Sequence, residues 1–121
     1  MRFALCAGAL VLAAAGSASA MPVSTFLTKA QALEKKGPLA LFSGDLKLLT
    51  SQVKQDSLQL RAENKTLEAA GKRKHYCTPK GFSMDEKQVL QAMQSVPAGQ
   101  RPRTSTKDAL RTYLAQRHPC R

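Results

Sequence analysis

The chain has 121 residues, with 19 Lys and Arg against 8 Asp and Glu for a formal net charge of +11, and no Trp. This length allows one domain with a modest core, and a cationic surplus of this size points to acidic partners such as an acidic protein, anionic lipid head groups or other polyanions. No Gly-rich phosphate loop, G-x-S-x-G elbow or HExxH motif occurs, which argues against an enzyme, and no residue set calls for a cofactor.

In chain order, Met1-Arg2 forms a short positive start, Phe3 to Ala15 is almost wholly apolar, and Ala18-Ser19-Ala20 has the small-x-small pattern of a cleavage site. A secretory signal peptide over residues 1–20 is the expectation. A membrane anchor would need about 20 apolar residues, more than this run supplies, and Cys6 lies inside the run with no room for a lipoprotein leader before it. Cleavage after Ala20 leaves 101 residues (121 less 20) as a single helical domain over 21–121. Without Arg2 the balance is 18 Lys and Arg against 8 acids, or +10. The destination is then the periplasm or the exterior, where location disfavours nucleic acid as a partner. Positive charge that only keeps a small protein soluble is the competing reading.

The fold class expected is all-α, with about four helices. Ile is absent and Val is sparse, so runs of β-branched and aromatic residues that mark strands are missing. A first helix fits Ser24 to Lys36, capped by Ser24 and stopped by Lys35-Lys36-Gly37-Pro38. Leu39, Leu41 and Phe42 follow as an apolar connector expected in the core, with Ser43-Gly44-Asp45 turning into the next helix. The long second helix runs from about Leu46 to Ala70 and closes at Gly71. Leu46, Leu49, Val53, Leu60 and Leu67 follow a heptad-like spacing that Asp56 and Glu63 interrupt. We therefore read a helix packed along its first half and solvated beyond Val53, with a sustained coiled coil as the lesser reading. Pairs of Glu68 with Lys65 or Lys72 would support the exposed part.

After Gly71 comes the basic run Lys72-Arg73-Lys74-His75, then a loop marked by Pro79 and Gly81. Ser83 to Glu86 has the pattern of a capping box starting a third helix, with Val89, Leu90, Met93 and Val96 on one face before Pro97. Pro97 to Arg103 is linker. Ser105 to Asp108 starts a fourth helix, with Ala109, Leu110, Tyr113 and Leu114 on its apolar side, broken at His118-Pro119. Helices three and four should pair as an antiparallel hairpin.

If the leader carrying Cys6 is removed, Cys77 and Cys120 are the only two cysteines left. In an oxidising compartment they either pair or remain free thiols. A bond would staple the C-terminal hairpin from 76 to 120, closing a loop of about 44 residues for about 4 kcal/mol of stabilisation. His75 and His118 each precede a cysteine by two residues, so a Cys2His2 zinc site is conceivable. The spacing departs from structural zinc sites, and we assign no metal. Asp85 and Glu86 are explained by the cap and not by catalysis, and no catalytic residue is assigned.

The basic residues are the remaining candidates for function. Lys72, Arg73, Lys74 and Lys80 surround the Cys77 loop, and Arg103, Lys107 and Arg111 follow at intervals of four, on one side of helix four. These seven form the expected partner-binding set, weighed against an ordinary solvated face. The stretch from Lys72 to Ser83 contains no acid, which favours binding.

At the same residues a family resemblance enters. Tyr76-Cys77-Thr78-Pro79, a polar-capped helix ending at Val96-Pro97, and a helix closing through Tyr113-Leu114 to His118-Pro119-Cys120 together resemble the Tai-type immunity proteins of type VI secretion systems. Those are small helical periplasmic proteins that bind and block peptidoglycan-cleaving amidase effectors. The resemblance is confined to the C-terminal half, and residues 21 to 71 show no matching pattern. It implies a structural disulfide between Cys77 and Cys120 and a protein partner. The function expected is a small exported, non-enzymatic inhibitor of this kind; the alternative is a basic envelope-binding or chaperone-like protein.

Overall fold

The computed structural model describes residues 20–121; the signal peptide expected over 1–20 lies outside the described residues, apart from Ala20 at its end. The described residues form four α-helices and no strand: α1 (Val23–Lys36), α2 (Gly44–Ala69), α3 (Glu86–Gln94) and α4 (Thr106–Arg117), with 3-10 turns at Gly37–Phe42 and Ala98–Gln100. None of these helices is long and apolar enough to cross a membrane.

Ser24 is not the cap of α1. The helix starts one residue earlier, after Pro22, without a side-chain cap, because its first amides find backbone acceptors elsewhere. Val23 N donates to Thr104 O at 2.8 Å and Ser24 N to Arg101 O at 3.2 Å, while Thr106 N donates to Met21 O at 2.8 Å. The start of α1 is thus fastened to the segment leading into α4, and amides that would otherwise be orphaned are satisfied by tertiary contacts. At its other end Gly37 has φ +55, a conformation that favours glycine.

The apolar connector does not enter the core. Leu39, Leu41 and Phe42 are 70%, 73% and 88% exposed, because the six-residue 3-10 turn holds them on its outer side while only Ala40 packs inward. Ser43 then caps α2, accepting from Asp45 N. Gly71, at φ +69, closes that helix, with Lys72 N donating to Leu67 O and Gly71 N to Glu68 O. This is the paired-bond arrangement of a glycine-terminated helix.

The second half of α2 is packed as well, which corrects the expectation of a helix solvated beyond Val53. Asp56 and Leu60 are buried. The polar positions in its apolar row face α4: Thr106 Oγ1 donates to Asp56 Oδ2 at 2.6 Å, and Lys107 and Arg111 both reach Glu63. Contacts advance in the same direction along both helices, from Asp56 with Thr106 to Glu63 with Arg111, so α2 and α4 run side by side in one sense. Helix α1 runs the opposite way, with Lys29 paired to Asp45 at 3.2 Å near the start of α2.

The capping box of α3 falls two residues later than the sequence pattern suggests. Asp85 accepts from Gln88 N and Gln88 Oε1 accepts from Asp85 N, so Asp85 and Gln88 form the box. At the other end of α3, Arg101 reaches back, Nε donating to Val96 O and Nη2 to Gln94 O. Helix α4 begins as expected, with Ser105 accepting from Asp108 N. Leu60, Met93, Leu110 and Val23, at 1% exposure or less, come from all four helices and mark the centre of the core.

Candidate binding surfaces

The disulfide joins Cys77 to Cys120, with Cα atoms 4.9 Å apart. It ties the loop after α2 to the tail after α4, and Cys77 N also donates to His118 O at 2.7 Å. The same loop is gripped from the other side by Asn64 of α2, whose Nδ2 donates to Tyr76 O and whose Oδ1 accepts from His75 N. Arg73 donates to the carbonyl of Cys120, and Phe82 sets its ring edge-on to His118 with centroids 4.7 Å apart. Burial pushes the Tyr76 phenol above its ordinary value. Both cysteine sulfurs are in the S–S bond and offer no thiolate to a metal, and no group of three or more metal-ligating side chains forms among the described residues.

Of the seven basic candidates, four belong to this loop. Lys72 and Lys80 are exposed and form no ion pair among the described residues, Arg73 is bonded to the Cys120 carbonyl, and Lys74 lies 3.9 Å from Glu68. Glu68 therefore pairs across to the loop. The other three do not extend the patch as one row. Arg103 precedes α4 and is exposed, whereas Lys107 and Arg111 face Glu63, and Arg111 also bonds Asp108 at 2.6 Å. Burial acts to raise the Glu63 pKa, but the hydrogen bonds and charges of Lys107 and Arg111 outweigh it and hold the carboxyl below its ordinary range; the same pairing raises Arg111 against its own desolvation. Beside the loop, an open cleft of about 250 Å³ is lined by Arg61, Asn64, Lys74, Tyr76, Thr78 and Phe82 among others.

A second surface was not anticipated from the sequence. An open groove of about 650 Å³ lies between α1, α2 and α3, with Phe26, Leu33, Leu46, Leu49, Val53 and Val89 along its walls and floor. The 3-10 turn forms one rim, contributing Leu41. Its trace in the sequence is Leu41, a residue of the apolar connector expected in the core, which instead lines the groove.

Comparison with protein-family models, with curated proteins and with solved structures yields no match. What the fold and surfaces define is a small all-α protein with a disulfide-stapled C-terminal region.

Proposed function

We propose that this chain is an exported, non-enzymatic binding protein of the immunity type, which recognises a secreted peptidoglycan-cleaving amidase and blocks it. The observation that carries the reading is the fixation of the loop after α2. Asn64 holds it by two bonds, and the Cys77–Cys120 bond and the Cys77 amide hold it from the side of α4. A loop held this way loses little entropy on binding, and it presents Lys72 and Lys80, which form no ion pair among the described residues. The resemblance of Tyr76 to Cys120 to Tai-type proteins supports the same reading and supplies the partner class. Cations beside a rigid loop would speed encounter with an acidic surface.

The test is co-expression of a periplasmic peptidoglycan amidase encoded beside this gene, with and without this protein. Protection from lysis and a complex on gel filtration are expected. Equal lysis in both strains, with no complex, would leave the alternative that the net charge of +11 favours, a protein that binds anionic envelope surfaces.

A further inference from the structure

We propose that the groove between α1, α2 and α3 is a docking site for an amphipathic helix of a partner protein whose polar flanks are basic. The site is separate from the stapled loop and goes beyond the reading given above. The few carboxylates of this cationic chain are unevenly placed. Of the 8 acids, Asp45, Glu63, Glu68 and Asp108 are in ion pairs and Asp56 is buried with hydrogen bonds. The three others, Glu34, Asp85 and Glu86, form no ion pair among the described residues, and all three line this groove. Lys54 is the one cation lining it among the described residues. On a protein of +11 the groove is therefore an apolar trough with a net acidic rim.

This combination selects the occupant. An anionic lipid would meet carboxylates at the rim, and a second copy would set +11 against +11. An apolar helix face flanked by Lys or Arg satisfies both parts: its anchors at i, i+3, i+4 and i+7 enter the trough, and its cations meet Glu34 and Glu86. Leu41, 73% exposed on the rim, extends the apolar contact area beyond the trough itself.

The experiment uses the protein with its disulfide formed and two fluorescein-labelled 16-residue helical peptides with one identical leucine face, one carrying only lysine and the other only glutamate on its polar positions. Overall charge favours the glutamate peptide, so a preference for the lysine peptide of tenfold or more by fluorescence anisotropy would locate binding at the acidic rim. The Glu34→Lys, Glu86→Lys double variant should reverse that preference, and Leu41→Ser, at an exposed position, should weaken the lysine peptide about fivefold with unchanged circular dichroism. Equal or tighter binding of the glutamate peptide to the unaltered protein overturns the proposal. So does lysine-peptide binding that neither variant changes, or a dimer in sedimentation that Leu41→Ser abolishes, which would assign the groove to a second copy.

Discussion

Asp56 and Glu63 lie two turns apart on α2, both toward α4, and their acidities are driven in opposite directions: burial pushes Asp56 up despite its bonds from Thr106 and Gln52, while Lys107 and Arg111 hold Glu63 down. One interface therefore contains a carboxylate that resists ionisation and one that requires it.

The signs for stability follow by linkage. Glu63, depressed in the folded state, contributes stability that is present above its unfolded pKa of about 4.3 and is lost as pH falls through the folded value. Asp56, raised in the folded state, contributes stability that is full below its unfolded pKa of about 3.9 and is lost as pH rises through the folded value. Urea unfolding of Asp56→Asn across pH 4 to 8 should show a flatter decline with rising pH than the parent chain. Matching slopes would mean that the Asp56 environment does not bias its proton. Glu63→Gln should remove part of the loss of stability on acidification below pH 4.3.

Thr106 is fully buried and donates to Asp56 at 2.6 Å. Thr106→Val keeps the shape and leaves a buried carboxylate short of a donor, so we expect a loss of about 1 to 3 kcal/mol. The loss should shrink at low pH, where the protonated Asp56 needs that donor less. A pH-independent loss would indicate a packing effect alone.

The stapled loop spans a sequence separation of 43, for which loop-closure entropy gives about 4 kcal/mol. Cys77→Ser should lower Tm by about 15 °C or more in a domain of this size, with helical circular dichroism retained below the transition. Intact mass before and after reduction should differ by two hydrogens. A Tm change of only a few degrees would show that Asn64 and the Cys77 amide hold the loop without the bond.

Leucines of similar hydrophobicity should behave in opposite ways. Leu60, 1% exposed, should cost about 2 to 5 kcal/mol on truncation to Ala. Leu41→Ala and Phe42→Ala should change stability by less than about 0.5 kcal/mol, since both side chains are largely exposed. A large loss at Phe42 would return the connector to the core.

Lys72 and Lys80 form no ion pair among the described residues, so glutamate at both positions should leave Tm unchanged and slow association with an acidic partner, with a smaller effect at high salt. Lys107→Glu, by contrast, should lower Tm because it sets a second negative charge against Glu63. If the Lys72 and Lys80 changes alter Tm and leave binding intact, the loop is a structural feature and not a recognition surface.

Sequence alone determined the helices, their breaks and the closure of α2 at Gly71, because these depend on local chemistry: a side-chain cap at Ser105, a glycine that takes a positive φ, a proline that ends a pattern. Export followed from composition only as an expectation. Cys77 and Cys120 were legible as a candidate pair because, with Cys6 in the expected leader, no third cysteine remains in the sequence to compete. Tertiary structure decided what local pattern leaves open. Asp56 and Glu63 read as breaks in an apolar row until Thr106, Lys107 and Arg111, some 50 positions away, supplied partners; a polar residue in a row is a defect or a contact depending on what faces it. The same limit hid Asn64 and Arg101, whose bonds to the backbone of other segments leave no periodic trace. Leu39, Leu41 and Phe42 are apolar in either location, and only the path of the 3-10 turn after α1 placed them outside the core, with Leu41 on the rim of the groove.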